Sequence, residues 1–294
     1  MRVTVIHNPS AGDGDLSRDD LLELVWQAGL TPTYGEAKDP QLAALLRQPA
    51  EFVAAAGGDG TVAKLVLALE DRSVPVAILP AGTANNIARS FGIGGPAPIV
   101  IDGWAGAMRR RLRVGHAAGP WGSERFVEAV GIGALAAAMA AAAGMPAPTG
   151  ERMARAREAL RRALEEARPL EAAVTIDGEA LPGDLLLVEV MNIPYAGSGL
   201  KLAPQADPGD ELLDVVALEA GQRGAMLAWL AEPEPSSPAP VSVRRGRTVG
   251  FMWAGEPLHL DDEFPRTPEQ PGRVELGLEA EPVIVLVPAA AGPA

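Results

Sequence analysis

The sequence predicts two architectures in series: an α/β part organised as a doubly wound parallel sheet, then an all-β part of antiparallel strands. Three observations carry this. From Arg2 to about Gly103, apolar runs alternate with helical patterns, the spacing of strand–helix units in a parallel sheet covered on both faces. Beyond Gly103 the segments are strand-rich and several are separated by turn signals such as Asp177-Gly178, which suits a sandwich or a barrel. The composition, 48% hydrophobic and 21% charged over 294 residues, is that of a globular chain long enough to bury a substantial core in one large or two ordinary domains.

In order, MRVTVIH reads as a strand, Asp19 to Gly29 as a helix closed by glycine, EFVAAAGG as a strand, Thr61 to Glu70 as a helix and VPVAILP as a strand. The later strands are expected in RFVEAVGIG, LEAAVTIDGE, DLLLVEVMN, ELLDVVAL and RTVGFMWA. One long helix, Glu151 to Arg168, interrupts them, and the proline-rich AEPEPSSPAP, Ala231 to Pro240, reads as an exposed loop or edge. Domains are expected at 1–110 and 111–280, with the tail, about 281–294, a candidate to return to the first.

A net charge of −13 argues against nonspecific nucleic-acid binding, because a phosphate backbone repels such a surface. Absence of cysteine removes disulfides and thiolate metal sites. The longest low-charge run, Ala129 to Gly150, is mostly alanine and glycine and makes a poor transmembrane segment. The N-terminus lacks a long apolar stretch with a cleavage site, so the expected location is cytoplasmic.

Three strand ends carry small, hydrogen-bonding residues: HNPSAGDG (His7 to Gly14), the Gly57-Gly58-Asp59-Gly60-Thr61 stretch, and LPAGTANNIARSFGI (Leu79 to Ile93). Glycine-rich turns between a parallel strand and a helix point backbone N–H groups outward, where phosphate oxygens bind. Ligands of open α/β sheets bind along that edge. Asp59 would repel phosphate unless it acts through Mg²⁺ or serves a reacting hydroxyl, which suggests phosphoryl transfer; the competing reading is a tight turn with a helix-capping Asp. Neither a Walker A nor a G-x-G-x-x-G signature is present.

NPSAG, GGDGTV, LPAGTANNIARSFGI, GSGLKLAPQADPGDELLDVV and LHLDDEFP resemble, in order and spacing, the diacylglycerol kinase catalytic-domain superfamily, which includes bacterial lipid kinases and sphingosine kinases. The resemblance covers nearly the whole chain. It implies an N-terminal α/β nucleotide-binding domain for ATP, a C-terminal antiparallel β-sandwich for the lipid, and transfer of the γ-phosphate to a lipid hydroxyl at a membrane surface on the cytoplasmic side. Residue by residue, it implies that Gly57, Gly58, Asp59, Gly60 and Thr61 cradle the phosphates, with Asn8, Pro9 and Thr83 nearby. It maps the family's Asp-Gly-Glu onto Asp261, Asp262 and Glu263, with Glu263 as proton acceptor and Asp261 orienting it or the metal. It also implies a structural Mg²⁺ held by the Asp210 carboxylate with Asp207 and Leu212 at the carbonyl positions, an oxygen set that suits a hard cation. An ordinary acidic turn is the alternative there.

Four positions depart from the family pattern: Asp262 and Glu211 stand where glycine is usual, Asn86 where an aspartate is common, and Arg113 at another family aspartate. Glu211 alters the turn of the acidic loop, whereas Asn86 and Arg113 thin the magnesium network and leave room for a catalytically degenerate nucleotide- or lipid-binding protein. An NAD kinase-like enzyme is a second alternative, since those proteins carry a related GGDGT. His7 reads as structural, and His116 and His259 lack the spacing and acidic partners of a zinc site. Tyr195 and Asn192 read equally as cleft-lining or as packing residues. The arginines of ARAREALRRALEEAR read as a solvated helix face able to meet anionic headgroups. Oligomeric state leaves no trace in the sequence.

Overall fold

The computed structural model describes residues 1–12, 14, 16–143, 149–232 and 235–289. Asp13 of the first loop, Pro233 and Glu234 of the proline-rich stretch, and 290–294 of the tail lie outside them. The chain forms two compact units, Met1–Arg113 with Ala280–Ala294, and Val114–Glu279.

Numbered along the chain, the first unit contains β1 (Arg2–His7), α1 (Arg18–Gln27), β2 (Thr31–Glu36), α2 (Leu42–Leu46), β3 (Phe52–Gly57), α3 (Asp59–Ala68), β4 (Val76–Pro80), α4 (Asn86–Ser90), α5 (Ala97–Asp102), β5 (Met108–Leu112) and, from the far end of the sequence, β19 (Val283–Val287). Its sheet has the order β2-β1-β3-β4-β19-β5, parallel except for β5. Every residue of β3 is buried, as a strand covered on both faces requires. Ser17 caps α1 by accepting from the Asp20 N–H at 3.2 Å, and Gly29, at φ +73°, follows its end, as the sequence suggested. Helix α3 begins at Asp59, two residues earlier than expected, with Gly58 as its N-cap. The strand β2 was not anticipated: TPTYGE lies at the sheet edge with one buried residue, so it lacks an apolar pattern and tolerates Pro32.

The second unit is an antiparallel sandwich. It contains β6 (Gly115–Gly119), β7 (Gly122–Phe126), β8 (Ala129–Gly133), α6 (Ala134–Ala142), α7 (Thr149–Glu166), β9 (Val174–Ile176), β10 (Glu179–Ala180), β11 (Leu185–Met191), β12 (Tyr195–Ala196), β13 (Leu200–Lys201), β14 (Leu213–Glu219), α8 (Arg223–Ala231), β15 (Ser242–Gly246), β16 (Val249–Trp253), β17 (Leu258–Leu260) and β18 (Gly272–Leu278). One sheet runs β10-β9-β16-β18-β6-β7, the other β15-β14-β11-β8-β17. Val130, Val188, Val190, Val215, Phe251 and Leu276 belong to the core between them. The second sheet's outer face packs in a separate core with Leu135 of α6, Leu160 and Leu164 of α7 and Met226 of α8. Alternation along β11 is the reason this sheet buries both faces: Val188 and Val190 belong to one core, Leu187 and Met191 to the other.

On α7 the exposed arginines pair along the helix, Arg155 with Glu151 at 2.8 Å and Arg162 with Glu158 at 2.9 Å. Arg157 instead reaches the end of α8, donating to the carbonyls of Trp229, Leu230 and Glu232 at 3.3, 3.3 and 2.7 Å, where a cation complements the helix terminus.

Arg113 ends the outgoing part of the first unit, buried to 7% exposure, and donates to the carbonyl of Ala280, where the chain returns. Replacing it by Met removes a charged hydrogen bond worth about 2 kcal/mol. Urea unfolding of Arg113→Met should show a loss of that order, and Arg113→Asp a larger one, because the carboxylate would face a carbonyl. An unchanged midpoint in both variants would show that Arg113 does not hold the return of the chain.

Candidate functional site

In the α/β unit, β1, β3 and β4 are neighbours, so the loops at their C-terminal ends lie side by side. Their contacts leave no room for side chains. A Cβ on Gly82 would lie 2.4 Å from the Gly58 α-carbon, one on Gly57 would lie 2.5 Å from Thr61 Oγ1, and one on Gly12 would lie 2.7 Å from the Ala81 carbonyl oxygen. Asn85, left-handed at φ 49°, clasps the third loop: its Oδ1 accepts from the Gly82 N–H at 2.9 Å and its Nδ2 donates to the Gly82 carbonyl at 2.8 Å.

Asp59 stands in the first turn of α3, half-buried, and its Oδ1 accepts from the Ile87 N–H of α4 at 2.9 Å. It therefore caps the neighbouring helix, which ties the second loop to the third. Gly60 is exposed in the same turn, Thr61 is 5% exposed, and Thr83 is half-buried in the third loop. Asn8 and Pro9 begin the first loop: the Asn8 N–H donates to Ala56 at 2.9 Å, and its Oδ1 accepts from Ser10 Oγ at 2.9 Å. Asn86, 2% exposed, opens α4 beside the residue that Asp59 caps. His7 is 1% exposed with Nδ1 3.2 Å from the Tyr34 hydroxyl, and burial lowers its pKa; its role is structural.

In the sandwich, Asp261 to Glu263 form a tight turn leaving β17, closed by two 2.8 Å bonds between the backbones of Leu260 and Glu263. Asp261 is left-handed, at φ 45°. Asp262 is not, so the turn does not need the glycine usual at that position. Both Asp261 oxygens are engaged: Oδ2 accepts from Val127 N–H at 2.8 Å, Oδ1 from Glu128 and Ala129 N–H at 2.7 and 3.1 Å. Burial pushes this carboxyl up to about 6, against the lowering effect of those three donors. Glu263 is exposed at the end of the turn.

Three residues around this turn were missed or read differently from the sequence. Asn192 braces the same segment, its Nδ2 donating to Val127 O at 2.8 Å and its backbone N–H to Glu128 O at 2.9 Å. His259 does have an acidic partner: Nε2 lies 2.9 Å from Glu189 Oε2, and Nδ1 2.9 Å from the Asp261 carbonyl. Burial lowers its pKa, but the charge and hydrogen bond of Glu189 raise it further, and the net is above 6.5. Among the described residues no cluster of three or more His, Asp or Glu could hold a metal ion. The one sequence signal for this pair was a glutamate at the centre of DLLLVEVMN.

The acidic loop before β14 is also occupied. The Asp210 N–H donates to the Asp207 carbonyl at 3.2 Å, Asp207 Oδ1 accepts from Gly209 N–H at 3.0 Å, and Asp210 Oδ1 accepts from Leu212 N–H at 2.8 Å. Asp210 Oδ2 pairs with the Arg245 guanidinium, whose Nε lies 3.3 Å from Asp214 Oδ1 in an ionic contact. Arg247 pairs with Glu211 at 2.7 Å. In this loop the Arg245 guanidinium meets the Asp210 carboxylate that the Mg²⁺ expected at Asp207, Asp210 and Leu212 would use.

An α/β unit with three bare strand-end loops, followed by an antiparallel sandwich with an acidic turn, defines the two-domain kinase architecture. Residues 2–117 match the diacylglycerol kinase catalytic domain, and residues 128–276 the YegS C-terminal NAD kinase beta sandwich-like domain. The chain thus belongs to the diacylglycerol kinase catalytic-domain family of lipid kinases. It is 28% identical over 299 residues to a diacylglycerol kinase of Mycobacterium tuberculosis, covering 90% of this chain and 89% of the relative. It is 31% identical over 237 residues to a Pseudomonas putida protein described as "Probable lipid kinase YegS-like", covering 74% of each. The crystal structure of a diacylglycerol kinase from Bacillus anthracis str. Sterne superposes with a TM-score of 0.69 at 18% identity, covering 99% of this chain and 98% of that one.

Two outcomes check this geometry. The melting temperature of the wild type should be indifferent to Mg²⁺ or a chelator, whereas Arg245→Met should melt lower and recover in part with Mg²⁺, because Asp210 and Asp214 lose their counter-charge. A wild-type midpoint that rises with Mg²⁺, and no longer does so in Asp210→Asn, would show that the loop takes a cation. The second concerns Asp261. A carboxyl with a folded pKa raised from 3.8 to about 6 binds its proton more tightly in the folded chain. Its contribution is full below about pH 4 and is lost as pH rises through about 6. The stability of the wild type relative to Asp261→Asn, from urea unfolding, should therefore decline across that window; a flat difference would mean that the three N–H donors keep the carboxylate ionised throughout.

Proposed function

We propose that the protein is an ATP-dependent lipid kinase. The observation that carries the reading is the cradle at Gly57, Gly58 and Gly82, where bare backbone and a carboxylate meet at the ends of adjacent parallel strands. Backbone N–H groups and helix N-termini there suit the phosphates of a nucleotide, held by Gly57, Gly58, Asp59, Gly60 and Thr61 with Asn8, Pro9 and Thr83 alongside. The unit Met1–Arg113 with Ala280–Ala294 is assigned to ATP and the unit Val114–Glu279 to the lipid, which moves the expected boundaries at 110 and 280 by a few residues. Asp59 is the side chain suited to hold the Mg²⁺ that accompanies ATP, an ion that neutralises phosphate charge when bound.

Glu263 is assigned as general base. The lipid hydroxyl oxygen attacks the γ-phosphorus, the bond from that phosphorus to the bridging oxygen breaks, ADP departs, and the hydroxyl proton passes to Glu263. Asp261, with its carboxylate spent on backbone donors, holds the turn instead of touching substrate. A cavity of about 1320 Å³ in the sandwich unit, lined by Ala134, Ala138, Ala159, Ala163 and Leu186 with paired arginines and glutamates of α7 at its rim, supports an acceptor with an apolar chain. Among the described residues no helix is long and apolar enough to cross a membrane, and the proposed setting is the cytoplasmic surface of a membrane.

The test offers ATP with diacylglycerol, a sphingoid base or NAD. Glu263→Gln should reduce lipid phosphorylation by roughly 10²–10⁴-fold, the scale of general-base loss, with ATP affinity unchanged. Asp59→Asn keeps the acceptor for Ile87 and should weaken Mg²⁺-dependent ATP binding instead. Phosphorylation of NAD alone, or near-normal turnover by Glu263→Gln, would overturn the proposal.

A further inference from the structure

Glu189, Gly131 and His259 lie at one level on three adjacent strands, since Glu189 on β11 and His259 on β17 both pair with Gly131 of β8 between them. They are on the helix-covered face of the sheet, because Leu258, Leu260, Val188 and Val190 point into the opposite core. The middle position has to be glycine: a Cβ on Gly131 would lie 2.1 Å from Glu189 Oε1 and 2.2 Å from Oε2. Across that gap Glu189 meets His259 at 2.9 Å, with the two residues 0% and 1% exposed.

Such a pair is a poor choice for stability alone. A buried ion pair set against apolar residues of similar volume commonly gains nothing or loses, and every other neighbour on these strands is aliphatic or glycine. What the pair adds is direction. The Asp261 carbonyl can only accept, so His259 Nδ1 carries the proton on the 2.9 Å bond between them, and Glu189 on the other nitrogen fixes the ring in that orientation. Asp261 is thereby held at each polar group it has: its N–H donates to Ala129 O at 2.8 Å, its carboxylate accepts from three N–H groups, and its carbonyl accepts from His259. The turn that follows ends in Glu263.

We propose that Glu189 and His259 are positioning residues that set the turn bearing Glu263, a role that rests on the kinase reading above. Neither touches substrate. They act through Asp261, whose left-handed backbone decides where Glu263 leaves the turn.

The experiment compares wild type, Glu189→Gln, and the double variant Glu189→Leu/His259→Phe, which replaces the pair by apolar volume. Amide hydrogen exchange is read at Leu260 and Glu263 against β14 in the same sheet. Turnover is read with ATP and diacylglycerol in mixed micelles. In the double variant, exchange at Leu260 and Glu263 should accelerate about tenfold or more with β14 unchanged, and kcat should fall about tenfold or more with the KM for ATP preserved, changes matching the loss of one hydrogen bond. Glu189→Gln, which keeps the shape, should move both in the same direction by less, and it decides the matter alone if the double variant does not fold. Wild-type kcat in Glu189→Gln or in a folded double variant overturns the proposal, as does exchange that accelerates equally in β14. A wild type that phosphorylates no lipid sinks the kinase reading instead, while the exchange measurement still tests whether the pair holds the turn.

Discussion

Gly58 and Gly82 meet through bare α-carbons, and the ligand edge of the α/β unit is organised around that contact. A Cβ on Gly82 would lie 2.4 Å from the Gly58 α-carbon, whereas one on Gly58 would lie 3.1 Å from the Gly82 α-carbon, so it is glycine at 82 above all that lets the two strand ends approach. Asn85 then fastens Gly82 by both its backbone groups, and Asp59 reaches across to the first turn of α4. The position of the Asp59 carboxylate is thus a consequence of backbone proximity. A larger residue at Gly82 would push against Gly58, next to Asp59 in the chain, without touching Asp59 itself.

The sandwich holds its loop carboxylates by two different means. Asp261 is met by three backbone N–H groups, rigid donors fixed by the ladder around them. Asp210 is met by the guanidinium of Arg245, a side chain 39% exposed. The first arrangement is made by neutral backbone donors to a partly buried carboxylate and responds less to ions in solution. The second is open to screening, and its strength falls as ionic strength rises. A chain with net charge −13 sets two of its cations, Arg245 and Arg247, against the acidic residues of this loop.

Much of the fold was legible because buried strands declare themselves: FVAAAG is a continuous apolar run and LLLVEVM is one but for its glutamate, and both are interior strands. Strands at sheet edges were not legible. TPTYGE in β2 and GSERF in β7 are mostly exposed and carry no alternation for a reader to find. The alanine-rich α6 gave no amphipathic period, since its residues are nearly all alike. At the site, GGDGT and LDDE could be found as positions, but the donors to the Asp261 carboxylate and the acidic partner of His259 come from segments 70 or more residues away in the sequence. Strand order brings them together, and no local pattern encodes that order. The glutamate within LLLVEVM was the exception, a charge where the period demands an apolar residue, visible as an anomaly though not as a pair.

The strand β19 lies between β4 and β5 in the first sheet, yet it is made of residues 283–287. During synthesis the ribosome delivers β1 to β5 first and the strand that separates β4 from β5 last. Until then β4 has an open edge, and β5 has no partner. The sandwich, encoded wholly between these two deliveries, is free to fold as a unit while the sheet ahead of it waits, as domains generally do. Unpaired strand edges template association with other chains. A nascent or truncated polypeptide that stops short of Val283 therefore exposes the apolar β4 edge for as long as it exists, and its hazard is aggregation well before any loss of chemistry.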